Sequence, residues 1–202
     1  MNYLAHFHLA TCAGHGDTNG LTVGALLGDF VKGPLRGDWP ADWEQGIALH
    51  RRIDALTDNH PEVRALLKTL PGEYRRYGGI MFDVCFDYCL AQHWRNFHSS
   101  GLPDFAQQVY AILGRHDTEF PLAANKQARR LEQYDVLLAM GNWHTVENML
   151  TRIGQRLKRA NPLADSAPVL HERLPEIEAH FLRFYPQLIE RLANDQIPLQ
   201  QR

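Results

Sequence analysis

Apolar side chains recur at helical spacing along most of this chain, and no stretch shows the strict alternation or hairpin turn chemistry of a strand. From Asn2 to Cys12 an apolar run is interrupted only at Asn2, His6 and His8, with Asn2 and His6 on one helical face. Gly14 to Gly20 reads as a polar turn. Leu21 to Phe30 is an apolar helix carrying Asp29 near its end, and Gly33-Pro34 breaks the helix there. An aromatic, acidic loop from Trp39 to Trp43 leads to a helix from Gly46 to Asp58, and Asn59-His60-Pro61 redirects the chain. Further helices are predicted over Pro61 to Leu70, Ile80 to Phe97, Leu102 to Leu113, Ala123 to Met140, Asn142 to Lys158 and Pro168 to Ala193, the last bent near Pro175 and Pro186. The pattern predicts an all-α bundle of roughly seven to nine helices.

Length changes the picture little: 202 residues suit a single helical domain over 1–202. With 45% hydrophobic and 22% charged residues, there is enough apolar surface for a sizeable core. No run reaches the roughly 18 to 20 apolar residues of a membrane span. The opening residues lack a basic start and a long apolar segment, which predicts a cytoplasmic protein. Cys12, Cys85 and Cys89 show no paired zinc spacing and read as reduced thiols. A net charge of −2 excludes a global attraction to nucleic acid or anionic membrane.

Chemistry concentrates in two stretches. In His50-Arg51-Arg52-Ile53-Asp54-Ala55-Leu56-Thr57-Asp58, His50 and Asp54 lie one turn apart on one helical face. In Phe82-Asp83-Val84-Cys85-Phe86-Asp87-Tyr88, Asp83 and Asp87 repeat that spacing inside an apolar run. Carboxylates there are costly to bury unless a cation or hydrogen-bond donors compensate them. Asp29, at a helix C-terminus that disfavours an anion, is a third candidate. These observations predict two helices facing each other across a divalent ion, with Asp29, His50, Asp83 and Asp87 as ligands. A His and carboxylate set suits Mn²⁺ or Mg²⁺ better than a thiolate-loving ion. Such an ion polarises a phosphoryl oxygen and acidifies water. Arg51, Arg52 and Lys32 are placed to hold a phosphate, and Asp54 or Asp58 to orient the attacking water. Arg36 and His6 join Arg52 as substrate-binding candidates. His116-Asp117, the one literal His-Asp dipeptide, sits in a polar loop-like stretch without rigid support and is set aside. A nucleophile elbow and a glycine-rich dinucleotide turn are both absent, and cysteines on an apolar helix are ordinarily inert.

Several of these segments resemble the acyl carrier protein phosphodiesterases. They are Asn2-Tyr-Leu-Ala-His-Phe-His-Leu-Ala, Leu27-Gly-Asp-Phe-Val-Lys-Gly, Gly46 to Asp58, Phe82 to Trp94, and Phe181-Leu-Arg-Phe-Tyr-Pro. The resemblance implies an all-helical, Mn²⁺-favouring enzyme similar to divergent HD-type phosphohydrolases. It also implies hydrolysis of the phosphodiester between a carrier-protein serine and 4′-phosphopantetheine. The adjacent His-Asp pair of HD enzymes has no counterpart in the matching helix, where His50 and Asp54 are four apart. Acyl carrier protein is acidic, so a basic docking surface is expected among Arg51/Arg52, Lys32/Arg36, Arg75/Arg76 and the Arg152 to Arg159 ridge. A hydrolase of a nucleotide or other small phosphodiester, and a non-catalytic carrier-binding module, are the competing expectations.

Overall fold

A computed structural model describes residues 1–13 and 17–194, and among them there are helices and no strand. The helices are α1 (Tyr3–Cys12), α2 (Thr18–Leu27), α3 (Ala41–Asn59), α4 (Pro61–Thr69), α5 (Gly72–Arg75), α6 (Gly78–Gln92) and α7 (Trp94–Phe97). After them come α8 (Leu102–Arg115), α9 (Leu122–Gln133), α10 (Val136–Ala139), α11 (Trp143–Arg156), α12 (Ser166–Glu172) and α13 (Leu174–Asn194). None is long and apolar enough to cross a membrane.

The all-α expectation holds, with more and shorter helices than the pattern predicts. The segment from Ala123 to Met140 divides because Asp135 takes a left-handed conformation, φ 43°. Tyr110 makes that break tolerable. Its hydroxyl donates to Asp135 Oδ1 at 3.0 Å and accepts the Leu137 N–H at 3.0 Å. The segment from Ile80 to Phe97 divides at His93, and the last one divides before Leu174, which leaves Pro175 in the first turn of α13, where proline fits. Pro186 lies inside α13 without ending it. Helix α3 starts at Ala41, earlier than predicted, with Asp42 and Glu44 complementing its N-terminal dipole. Part of the predicted turn, residues 14–16, lies outside the described residues; Asp17 beyond it caps α2 by accepting the Asn19 N–H.

Helix α1 runs through the core, with every residue from Leu4 to Ala10 buried. It is apolar on most sides, as an enclosed helix must be, with His6 and His8 as its buried polar residues. Burying Leu4, Phe7 and Leu9 contributes roughly 1.5–3 kcal/mol each. Its first-turn N–H groups are met from α6: Asp87 accepts from Leu4 N at 2.8 Å and Ala5 N at 3.0 Å. His8 ties α1 to α13 and α7. It accepts from the Tyr185 hydroxyl at Nδ1 (2.8 Å) and donates from Nε2 to the Phe97 carbonyl (3.2 Å). His8 is thus a packing residue with both ring nitrogens satisfied.

The closest helix pairing is α2 on α3. Gly20, Gly24 and Gly28 lie four apart and meet Asp42, Gly46 and His50, also four apart. A Cβ on Gly24 would stand 2.4 Å from the Trp43 carbonyl oxygen, and one on Gly46 would stand 2.6 Å from that of Leu21. The two backbones therefore touch, and only hydrogen fits between them.

Gly24→Ala should cost about 2–4 kcal/mol in urea unfolding, because backbone must move to admit the methyl. Gly114→Ala, where the added carbon meets nothing within 4 Å on α8, should be neutral or raise stability by up to about 1 kcal/mol. Acid should also weaken the fold. Burial holds His8 down to about 4, against 6.5 unfolded. The unfolded chain therefore takes up a proton that the folded one refuses, and stability present above pH 6.5 is lost as pH falls toward 4. The thermal midpoint should drop across that window, and less steeply in His8→Phe.

Candidate metal centre

Three side chains converge where α1 crosses α3. His6 comes from α1, and His50 and Asp54 come from successive turns of α3. The two imidazoles stack with centroids 3.8 Å apart and planes 6° from parallel. His6 Nε2 lies 3.1 Å from Asp54 Oδ1, and His50 Nε2 lies 3.3 Å from Asp54 Oδ2. Among the described residues this trio has ligand atoms all within 4.8 Å of one another.

The hydrogen bonding around the trio leaves lone pairs facing each other. His50 Nδ1 is 2.8 Å from the Ala25 carbonyl, which can only accept, so Nδ1 carries the proton. The unprotonated Nε2 then points at Asp54 and at Asp29 Oδ1, 3.7 Å away. Neither nitrogen of His6 has an aligned hydrogen-bond partner, although Asp54 is near enough in distance. Burial keeps the His6 ring neutral, with its pKa lowered to about 4. Burial opposes ionisation of Asp54, yet contacts with His50 and His6 hold it well below the usual carboxylate range. The result is a carboxylate held between two buried rings, with the Met1 ammonium 3.5 Å from its Oδ1 as the nearby charge.

The rim comes from the neighbouring helices. The Tyr3 phenol hydrogen-bonds Asp29, and burial together with that carboxylate raises its pKa. The Met1 ammonium lies 2.7 Å from Asp83 and 3.5 Å from Asp54 Oδ1. Burial works against that charge, but Asp83 and Asp54 outweigh it and raise its pKa. Tyr3, His6, Asp29, Ile80, Asp83 and Ile153 help to line a cleft of about 120 Å³.

Comparison with known proteins shows which family the chain belongs to. The family model for acyl carrier protein phosphodiesterase matches residues 1–188. The chain is 35% identical to the acyl carrier protein phosphodiesterase of Serratia proteamaculans, over 98% of its own length and all of that protein. It is 34% identical to the one from a Klebsiella pneumoniae strain, with the same coverage, and 34% identical to the one from an Escherichia coli strain, over 96% of this chain and 98% of that protein. The chain belongs to the acyl carrier protein phosphodiesterase family. No solved structure matches it.

In this member of the family the predicted site residues fall into three groups. His50 and Asp54 are together, joined by His6, which the sequence assigns to substrate; Asp54, expected as the base, touches both rings. Asp29 and Asp83 border the same cleft. Asp87, expected as a ligand, is not brought to the trio: its two oxygens accept from N–H groups in the first turn of α1. Burial pushes its pKa up to about 7, against the pull of those two N–H groups. Arg51 is likewise redirected, its guanidinium bonding the carbonyls of Gly33 (2.8 Å) and Val31 (2.9 Å) to hold the loop after α2. Lys32 and Arg36 are exposed on that loop, and Arg52 is half-buried on α3. Asp58 is exposed, its pKa raised by partial burial and by Asp83. His116 and Asp117 make surface pairs with Glu119 and Arg129. Sequence reasoning missed Tyr3, the Ala25 carbonyl and Gly28. The four-residue glycine spacing on α2 was the available signal, since a Cβ on Gly28 would stand 2.2 Å from the His50 ring.

Asp54 and Asp87 should both support stability, for different reasons. Asp87→Ala should lower unfolding stability by about 1–3 kcal/mol, because buried N–H groups lose their acceptor. Asp54→Ala should lower the thermal midpoint as well, because the ionised carboxylate that it removes is favoured in the fold by His50, His6 and the Met1 ammonium. Thermal unfolding of the two variants side by side checks this.

Proposed function

We propose that this chain hydrolyses the phosphodiester joining 4′-phosphopantetheine to the serine of acyl carrier protein, with a divalent ion held by His6, His50 and Asp54. The observation that carries this reading is the His50 ring. Its Nδ1–H is committed to Ala25, which leaves Nε2 as the nitrogen turned toward Asp54 and Asp29, where a divalent ion would take its lone pair. The spacing also suits one ion: neighbouring ligand atoms around an octahedral cation with bonds near 2.1 Å are about 3 Å apart, as the His6 and His50 contacts to Asp54 are. Two imidazoles and one carboxylate favour a borderline ion such as Mn²⁺ over Mg²⁺. Bound there, it supplies Lewis-acid polarisation of a phosphoryl oxygen and acidifies water.

The chain's own residues supply position. The Ala25 carbonyl fixes the His50 ring, as outer partners of metal-bound histidines do. Asp29, oriented by the Tyr3 phenol, is the carboxylate on the open side and the residue placed to accept a proton from an attacking water. Asp83 and Asp58 extend the negative rim. Arg51 stabilises the loop that presents Lys32 and Arg36, which are the cations available to a phosphate from that side. The cleft itself is far below the roughly 300 Å³ at which small-molecule sites begin. It accommodates a phosphodiester presented by a larger partner better than an enclosed nucleotide.

Incubating holo-acyl carrier protein with the purified protein and Mn²⁺ should remove the phosphopantetheine mass, and chelator should prevent the loss. His6→Ala, His50→Ala and Asp54→Ala should each lower the rate by at least about 100-fold and lose bound manganese. Unchanged mass with folded, Mn²⁺-loaded protein, alongside turnover of a nucleotide diester, would transfer the site to small substrates.

A further inference from the structure

Beyond the cleft, one stretch of surface concentrates positive charge. Residues 151–160 contain Arg152, Arg156, Lys158 and Arg159 and no acidic residue, in a chain whose net charge is −2. Arg152 and Arg156 share a face of α11, and all four are exposed. None forms an ion pair with another described residue, whereas Arg129, Arg173 and Arg183 do. The C-terminal dipole of α11 accounts for one or two cations there. It does not account for Lys158 and Arg159 beyond the helix end, or for Arg76 on the adjoining turn, whose guanidinium lies over the Tyr77 ring.

This surface is continuous with the cleft. Ile153, one turn before Arg156, lines it. Arg156 acts electrostatically on the Tyr3 phenol at the rim. Ile80 lines the cleft from α6, and the Tyr77 hydroxyl reaches the Ala160 carbonyl at 3.5 Å, which places the end of the ridge beside the start of α6. The other basic candidates are less available: Arg51 and Arg75 spend their guanidiniums on backbone carbonyls. Lys32 and Arg36 are exposed on the loop after α2, and neither lines the cleft.

We infer that the α11 ridge, Arg152, Arg156, Lys158 and Arg159 with Arg76, is the docking surface for an acidic protein whose phosphodiester-linked arm enters the cleft beside it. The inference rests on the carrier-protein reading and deepens it by assigning the face on which the partner sits. An acidic helix laid along the ridge would bring its prosthetic arm past Ile153 and Ile80 to the metal centre. Complementary charge of this kind speeds encounter and weakens with salt.

The test reads docking separately from turnover. Binding of fluorescently labelled apo-acyl carrier protein is measured by anisotropy at low and high salt. The proteins compared are the wild type, Arg152→Glu/Arg159→Glu, and Lys126→Glu/Arg130→Glu, which makes the same charge change on α9. The ridge variant should bind at least about tenfold more weakly and lose most of its salt dependence, with the α9 variant matching the wild type. Hydrolysis of bis-p-nitrophenyl phosphate with Mn²⁺ should be equal in all three. Wild-type-like binding by the ridge variant, equal weakening in the α9 variant, or a parallel loss of small-substrate hydrolysis would each overturn the assignment. So would a wild type that does not bind carrier protein. Failure of the wider reading shows differently: carrier protein binds, yet keeps its phosphopantetheine.

Discussion

The backbone contact between α2 and α3 is the constraint on which the site depends. Gly24 and Gly46 meet with no side chain between them, and Gly28 extends the same stripe to the floor of the His50 ring. Because the helices are this close, the Ala25 carbonyl reaches His50 Nδ1, and the turn after α2 brings Asp29 to the other nitrogen. A wider spacing would return both ring nitrogens to free choice of partner, and the ring would no longer be aimed. The glycines therefore fix a tautomer as well as a distance.

The second requirement is electrostatic. Asp54, Asp29 and Asp83 gather around the His6 and His50 rings, in a bundle whose interior is mostly apolar. Their mutual repulsion is relieved locally, by a phenol at Asp29 and by the Met1 ammonium, which lies closer to Asp83 than to Asp54. Asp87, one turn of α6 beyond Asp83, shows the contrasting solution. It is fully buried, and two backbone N–H groups of α1 donate to it, one to each oxygen. Two carboxylates with the same sequence spacing thus serve different ends, and the difference lies in what faces them from α1.

That contrast explains how much is legible in the sequence. Helical periodicity reveals the fold class, and the His50 to Asp54 spacing reveals one wall of the site, because both are properties of a single helix. His6 stands out only as an interruption in an apolar run, and nothing local distinguishes it from His8. Only the crossing of α1 over α3 separates a ring with no aligned partner from one held by Tyr185 and Phe97. The partners of Arg51 are hidden for a similar reason. A guanidinium beside a metal-type motif suggests phosphate, but loop carbonyls eighteen and twenty residues away reach it instead. The break at Asp135 depends on a tyrosine hydroxyl from another helix and leaves no mark in the periodicity.

His6 differs from most functional histidines in where its backbone runs. It is carried by a helix enclosed on every side, not by a surface loop. Local opening exposes loops and frayed ends at little free-energy cost, while the central elements open only when the whole chain does. His6 can leave the trio by no smaller fluctuation than that. The lifetime of the assembled centre is therefore the lifetime of the folded state, and amide exchange along α1 would report both with one rate.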